Sequence, residues 1–524
     1  MTGAARREPH GPWRWVVVIA CVLFVWSHRH ALQLTGFSDD LGLLAELPQR
    51  AAQGTLLADT YARWLGPLWL GSTMWRPLSY SSFALDALLW GHTPAMWRVT
   101  NLLLHGGVAV FTGLIALRLT TSRLSGAAAF AAVLLVPWAP EVTLWLVGRF
   151  DGWATLVILV SMWAALHSRG VDRWWGLSLV AAVAAYLSKE SALILPAWIL
   201  LIVSLRAVTE NAHRHTVLRA SGALVVAHIA LAATYLLWRN ALFAGAAMSV
   251  YASAPEYRLL PLAARVWAHL AFPAALVPLA PMAAWVAASV STMGILQLCF
   301  AAHHRDRWIA FSGALLALSV VVAVAVHFAN PAGSGDGYRL EYLATFGLAL
   351  MVAAAARSVS KISVALLIVF MLALATWQSR VAAEWTRASR TIGGAAHAIT
   401  VAATALASSE FGLVLLPDMM GHVPVARNAQ GALTTREDGS SPARDFFIIF
   451  TPPQLKEWHQ LAQEDVVAKL TQRATAPPRI TRYYCFNSSK LSLEDLGYWS
   501  PGALANWSAR WRDAVAARCP ELTF

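Results

Sequence analysis

Two adjacent carboxylates, Asp39 and Asp40, stand shortly beyond the first apolar segment, in Gly36-Phe37-Ser38-Asp39-Asp40. A carboxylate within hydrogen-bond reach of a hydroxyl can take its proton, so the pair is a candidate general base. The same residues can instead open a helix, because Ser38-Asp39-Asp40 precedes the apolar stretch Leu41 to Leu47. Three cations are candidates for the opposite task, holding a phosphate: Lys189 in Ser188-Lys189-Glu190, Arg339 after Tyr338, and Arg76 in Trp75-Arg76-Pro77-Leu78; Arg149 in Gly148-Arg149-Phe150-Asp151 is a further cation in the same turns. Each has a plainer reading. Arg76 can snorkel to an interface, Lys189 can pair with Glu190, and Arg149 can bridge to Glu141 or Asp151. Asp39, Asp40 and Glu141, with His105, are the residues that could hold a divalent metal ion, although no ligand spacing supports one, and no other cofactor is indicated.

The elements that must position these residues are membrane helices. Of 524 residues, 58% are hydrophobic and 13% charged, whereas an ordinary soluble domain carries about 25% charge. Apolar runs recur between short basic clusters, the pattern of a polytopic α-helical membrane protein. The first run, Trp13 to Trp26, lacks a small-residue cleavage site and reads as a retained anchor. The net charge of +12 does not indicate nucleic acid. From Arg380 onward there are 15 Lys and Arg against 13 Asp and Glu, so the excess lies in the short loops of the membrane part. That is the positive-inside pattern, which reports topology.

The clusters at Arg6, Arg7 and Arg14, at Arg118 and Arg123, at Arg169 and Arg173, at Arg206, Arg214 and Arg219, at Arg305 and Arg307, and at Arg357 and Lys361 are placed in the cytoplasm. Eleven spans follow, near 13–28, 96–118, 124–138, 150–168, 174–188, 191–206, 217–238, 283–302, 308–328, 340–357 and 361–379. Segment 262–280, with Arg265, His269, Pro273 and Pro278, fits an interfacial or re-entrant piece. If it crosses, the count becomes twelve. The outer face then collects the large 29–95 loop with Asp39, Asp40 and Arg76, the Glu141 to Asp151 turn, Lys189-Glu190, and the loop with Arg339. A positive charge at position 339 on that face runs against the topology rule, and an anionic ligand would explain it.

The domain organisation is a transmembrane domain over residues 1–380 and a C-terminal domain over 395–524. In the latter, Phe411 to Leu416 and Phe446 to Phe450 read as strands, and Leu455 to Leu470 and Pro501 to Ala517 as helices, so a small α/β soluble domain is expected. Cys485 and Cys519 could form one disulfide there or remain two thiols, whereas Cys21 and Cys299 read as packing residues.

Taken together, the motifs resemble a known family. The stretches are the Asp-Asp loop; Trp75-Arg76-Pro77-Leu78-Ser79-Tyr80 running through Asn101-Leu102-Leu103-Leu104-His105; Pro140-Glu141 with Gly148-Arg149-Phe150-Asp151; Ser188-Lys189-Glu190-Ser191-Ala192-Leu193; and Tyr338-Arg339-Leu340-Glu341-Tyr342-Leu343. They look like the membrane half of TMTC-type O-mannosyltransferases and their bacterial relatives, within the GT-C superfamily, over roughly residues 10–380. The resemblance implies an inverting glycosyltransferase with a polyprenyl-phosphate-linked sugar donor. It implies Asp39 or Asp40 as the base, Lys189 and Arg339 on the donor phosphate, Arg76 or Arg149 as helpers, and Glu141, Asp151, Glu190 and His105 in support. The chain departs from the family pattern at Trp75, Trp138 and Gly337, and it shows no tetratricopeptide repeats.

High Ala and Arg usage points to a GC-rich bacterium, so the outer face would be periplasmic, in the inner (cytoplasmic) membrane. The expected partners are the lipid donor, membrane lipids, and a cell-envelope acceptor that is a glycan, a lipid or a protein. Two other classes stay open: a lipid-linked saccharide transporter or flippase, which would carry charges in mid-span, and a non-enzymatic envelope-assembly subunit working through its C-terminal domain.

Overall fold

A computed structural model describes residues 11–68, 73–209, 214–243, 304–327, 339, 342–357, 361–405, 410–421, 423–426, 447–450, 480–498 and 509–522. The expected span 283–302, the segment 262–280, the helix 455–470 and Cys299 lie outside the described residues. Apolar helices dominate. In chain order they are α1 (Trp13–Ser27), α2 (Asp39–Ala52), α3 (Leu56–Trp64), α4 (Pro77–Trp90), α5 (Pro94–Thr120), α6 (Arg123–Leu134), α7 (Ala139–Thr143), α8 (Arg149–His167), α9 (Arg173–Tyr186), α10 (Leu195–Thr209), α11 (Arg214–Leu242), α12 (His304–His327), α13 (Ala344–Ala355) and α14 (Lys361–Ala405). Two 3₁₀ turns, Leu146–Gly148 and Glu190–Ile194, lead into α8 and α10.

Among the described residues, six helical stretches are long and apolar enough to cross a membrane: Trp13–Gln33, Pro94–Thr120, Leu146–His167, Glu190–Val208, Ser221–Leu242 and Val364–Ala402. Arg123–Leu134 and Ala344–Ala355 are shorter apolar helices. The chain is thus a polytopic α-helical protein. Local chemistry sets the ends. Proline opens α4 and α5, where the missing N–H costs nothing. The Ser122 hydroxyl caps α6 through Ser125 N–H, and Asp172 caps α9 through Trp175 N–H. Small residues allow the closest approaches. Gly313 of α12 and Gly347 of α13 face each other so tightly that a Cβ on either would fall about 2.5 Å or less from the other's carbonyl oxygen. Cys21 faces outward from α1 instead of packing inside.

The C-terminal unit holds a four-stranded sheet in the order β4-β1-β5-β6, made of β1 (Glu410–Leu415), β4 (Phe447–Phe450), β5 (Ile480–Asn487) and β6 (Ser492–Tyr498). β1 runs parallel to both β4 and β5, with Leu413 between Ile448 and Tyr483, and β6 returns antiparallel to β5. A small hairpin pairs β2 (Met419–Met420) with β3 (Val423–Pro424). Helix α15 (Ala509–Arg518) follows, and Cys519 just beyond it is joined to Cys485 of β5. The helix expected over 501–517 therefore occupies, in the described residues, 509–518. The long α14 runs unbroken through residue 380, and its extension carries the apolar seam Trp385, Ala388, Ile392, Ala395 and Ile399. That seam joins one apolar cluster with Phe37, Trp145, Val425, Tyr484 and Phe486, so loop, helix and sheet share a core.

Gly148 fixes how the 146–148 turn sits on α7. A Cβ there would lie 2.4 Å from the Glu141 carbonyl oxygen and 2.7 Å from Val142 Cα. Both are backbone atoms and cannot swing aside. Gly148→Ala is expected to destabilise the protein by about 1–3 kcal/mol, read as a lowered melting temperature in detergent; an unchanged melting temperature would contradict the close approach.

Candidate functional site

The acidic pair opens α2, and its two members differ. Asp40 is fully buried. Its Oδ2 accepts the Phe37 N–H at 3.2 Å and the Leu146 N–H at 3.1 Å, and its Oδ1 accepts the Val147 N–H at 3.0 Å. Asp40 thus ties the first outer loop to the 146–148 turn. Asp39 is half-buried, at the rim of the same turn of helix. The residue before it, Ser38, has φ +47°, a conformation rare for a residue with a Cβ. Ser38 supplies no side-chain cap, so the N-cap reading holds for position and not for the hydroxyl.

The loop before the pair is held from several sides. Arg98 of α5, fully buried, donates from Nε to the Leu144 carbonyl at 3.0 Å and from its two terminal nitrogens to the carbonyls of Leu34 and Thr35. Thr35 N–H donates to Ser389 Oγ of α14 at 2.9 Å. Trp145 Nε1–H donates to the Phe37 carbonyl at 3.3 Å, and Phe37 meets Trp385 edge to face at 4.9 Å.

The cations gather beside this loop. Arg76 is bidentate on Glu190 Oε2, at 3.0 Å from Nε and 2.8 Å from its terminal nitrogen. Arg239 of α11, which the sequence reading passed over, approaches Glu190 Oε1 at 3.5 Å. Lys189 pairs with Asp151 and not with the adjacent Glu190. Arg339 lies over the Trp145 ring, 4.1 Å from its centroid. Burial lowers the Lys189 pKa, Asp151 opposes that, and the Arg76 and Arg339 charges lower it further. Among the described residues, four cations thus face two carboxylates, Arg76, Lys189 and Arg239 being buried and Arg339 half-buried. A buried excess of positive charge is costly unless an anion completes it. The Arg339–Trp145–Phe37 chain joins this cationic end to the acidic loop.

Arg149 has a different fate from either expectation. It pairs with Asp86 of α4 at 2.5 Å, and it also donates to Asn101 Oδ1 at 2.8 Å and to the carbonyls of Trp97 at 2.7 Å and Ser82 at 3.1 Å. Its donors are spent on protein, inside the fold. Successive helix residues point about 100° apart, so Arg149, Phe150 and Asp151 reach Asp86, Arg76 and Lys189 respectively, with the Arg76 guanidinium 5.1 Å from the Phe150 ring centroid. His105 is also committed: Nδ1 lies 2.6 Å from the Tyr342 hydroxyl and Nε2 lies 3.2 Å from the Leu134 carbonyl. That carbonyl can only accept, so Nε2 carries the proton and Nδ1 takes the Tyr342 O–H. Glu141 is buried on α7.

The metal reading finds no support in this arrangement. Among the described residues no group of three or more His, Cys, Asp or Glu is gathered as ligands. Asp40 already accepts three backbone N–H groups, and the one lone pair of His105 Nδ1 takes the Tyr342 O–H. The residues that sequence reasoning missed, Asp86, Arg98 and Arg239, share one readable signal: each is a charge inside an apolar helix, which must have a buried partner or a function.

No protein-family model matches the chain. A stretch of 173 residues is 32% identical to the protein O-mannosyl-transferase Tmtc1 of Drosophila melanogaster, covering 32% of this chain and 19% of that protein. The chain therefore spans about a fifth of the length of that relative. Among solved structures, it is similar to ArnT from Cupriavidus metallidurans bound to undecaprenyl phosphate, at 13% identity and a TM-score of 0.34, covering 91% of this chain and 93% of that one. The apo state of the same protein gives 13% identity and a TM-score of 0.38, covering 93% and 96%. The resemblance to GT-C membrane glycosyltransferases seen in the motifs is thus met by a curated sequence relative over about a third of the chain.

Burial pushes the Asp40 carboxyl from its ordinary 3.8 up to about 7, against the pull of the Leu146 N–H, Arg98, and the Val147 and Phe37 N–H groups. The folded state then keeps a proton that the unfolded chain has released. Stability from this group is present below pH about 4 and is lost as pH rises to about 7, at no more than about 1.4 kcal/mol per pH unit. The melting temperature of the wild type relative to Asp40→Asn is expected to fall over that window and to level off above it. A difference independent of pH would contradict the assignment.

Proposed function

We propose that the protein is an inverting glycosyltransferase that moves a sugar from a polyprenyl-phosphate donor to an acceptor hydroxyl on the outer, periplasmic face of a bacterial inner membrane. The carrying observation is the surplus, among the described residues, of cations at buried Arg76, Lys189 and Arg239 and half-buried Arg339, joined through Trp145 to the loop that bears Asp39. An anion of lipid-phosphate type completes such a cluster, and a carboxylate at its rim suits the attacking hydroxyl. The sidedness supports the same reading. Arg98, Arg149 to Asp151 and Lys189-Glu190 stand at the starts of α5, α8 and α10 or in the turns before them. Arg118, Arg169 and Arg206 stand at their far ends. The starts of α8 and α10, which carry Asp151 and follow Lys189-Glu190, therefore bring positive dipole ends to the side of the candidate phosphate site.

In the reaction, Asp39 accepts the proton of the acceptor hydroxyl as that oxygen bonds to the anomeric carbon from the side opposite the phosphate. The bond from the anomeric carbon to the phosphate oxygen breaks, and its electron pair leaves with the phosphate. Lys189 and Arg339 offset that charge, with Arg76 and Arg239 behind them. Asp39 is assigned the base because Asp40 holds three backbone N–H groups. The acceptor is a cell-envelope glycan, lipid or protein. A flippase would need no base.

The test uses purified protein in liposomes with a polyprenyl-phosphate sugar, the product read by mass spectrometry. Asp39→Asn is expected to lower transfer about 10²-fold or more at unchanged donor KM. Lys189→Met and Arg339→Met are expected to lower kcat and raise donor KM. Full transfer by well-folded Asp39→Asn sinks the assignment of the base, and donor translocation without transfer by the wild type favours the flippase.

A further inference from the structure

The C-terminal unit reaches the loop that bears Asp39 directly. Ser38 N–H donates to the Val425 carbonyl at 3.0 Å, and the Val425 N–H is itself held by the Asp418 carbonyl at 2.8 Å. Ser38 is fully buried and sits at φ +47°. A serine does not hold that conformation unless its surroundings impose it. The β2–β3 hairpin, whose strands are Met419–Met420 and Val423–Pro424, carries the acceptor of that hydrogen bond. Val423 and Val425 are buried in the same apolar cluster as Phe37, Trp145 and Trp385. The hairpin also rests on α14, where a Cβ at Gly421 would lie 3.3 Å from Glu384 Oε2. Residues 34–38 have no regular structure of their own before α2 begins. Arg98 holds one end, Asp40 the other, and the hairpin holds the residue next to Asp39.

We propose that the β2–β3 hairpin of the C-terminal unit is a positioning clamp for the Asp39 loop, so that the unit is required for turnover and not only for meeting the acceptor. The clamp fixes Ser38 in its left-handed conformation and thereby the direction in which Asp39 leaves the chain. Among the described residues, Arg76 and Arg239 are held by Glu190, Lys189 by Asp151, and Arg339 lies over Trp145. Loss of the clamp therefore costs the chemical step and spares donor binding. The kinetic part of this inference rests on the glycosyl-transfer reading above, whereas its structural part does not.

The experiment compares the full-length wild type with Val425→Pro, which removes the N–H that Asp418 holds, and with Lys490→Ala, an exposed change elsewhere in the same unit. Two readouts are taken: hydrogen–deuterium exchange of the 35–40 amides, and steady-state transfer from a polyprenyl-phosphate sugar. Val425→Pro is expected to speed exchange at 35–40 at least tenfold while β5 and β6 stay protected. It is expected to lower kcat about tenfold or more, with donor KM within about twofold. Lys490→Ala is expected to match the wild type in both. Val423→Ala, which trims a fully buried side chain and leaves every backbone hydrogen bond, serves where Val425→Pro does not fold and shifts both readouts in the same direction by less. Unchanged exchange at 35–40 in a folded hairpin variant overturns the clamp. Faster exchange with unchanged kcat overturns its role in turnover. A wild type that transfers no sugar overturns the functional reading instead, and the exchange arm still decides the clamp.

Discussion

A carboxylate removed from water has to receive hydrogen atoms from its own chain, and the way Asp40 receives them organises the outer end of this protein. Its three N–H donors come from Phe37 on one side and from Leu146 and Val147 on the other. Neither segment can be built first and decorated later, because each completes the other. Arg98 performs the reciprocal task with carbonyls, taking those of Leu34 and Thr35 together with that of Leu144. The two side chains thus stitch the same pair of segments twice, once through donors and once through acceptors. Removing either partner would leave the other's groups buried and unmatched, the costly direction for a buried charge.

The 146–148 turn, fixed by that stitching and by the close approach at Gly148, sets the starting angle of α8. The first three residues of α8 then fan outward. Arg149 goes inward to Asp86, Phe150 lies under the Arg76 guanidinium, and Asp151 meets Lys189. One helical turn therefore distributes three separate contacts to α4, to the segment just before it and to the loop before α10. This explains how residues far apart in sequence, such as Arg76, Lys189 and Arg239, come to share one site. It also explains why Arg149 lies in the fold's interior although it directly precedes Phe150 and Asp151, which face the cationic cluster.

Much of the frame was legible in the sequence and much of the pairing was not. Apolar runs between basic clusters located many of the long helices, because membrane helices are written in composition, whereas α2, α3 and α4 lie in the stretch 29–95 that reads as a loop in sequence. The strands at 411–416 and 446–450 were readable for the same reason, as apolar runs ended by proline. β5 and β6 escaped notice: Arg482 and the run Tyr483-Tyr484-Cys485-Phe486 break the alternation that marks a strand, and the sheet supplies what the pattern lacks. The extension of α14 past residue 380 carried a seam at 385, 388, 392, 395 and 399, a helical spacing of three and four that the appearance of charged residues concealed. The separation of Asp39 from Asp40 could not be read at all. Adjacent carboxylates look alike in sequence, and only the position of the 146–148 turn makes one a brace and leaves the other at the rim.

In the proposed reaction, the cationic cluster has to hold an anion without trapping it. Among the described residues, Lys189 and Arg76 are each matched by a carboxylate, Asp151 and Glu190, while Arg239 and Arg339 tip the sum to positive. Four bare cations would bind a donor phosphate tightly, and would bind the released lipid phosphate more tightly still, because its charge is greater. Binding substrate and transition state equally lowers KM without raising kcat. Two built-in acids reduce the affinity for the bound phosphate in every state. The remaining surplus acts most strongly where charge develops on the leaving oxygen. In the proposed reaction, Asp151 and Glu190 therefore have a part beyond structure: they set the balance between stabilising the departing phosphate and letting it go.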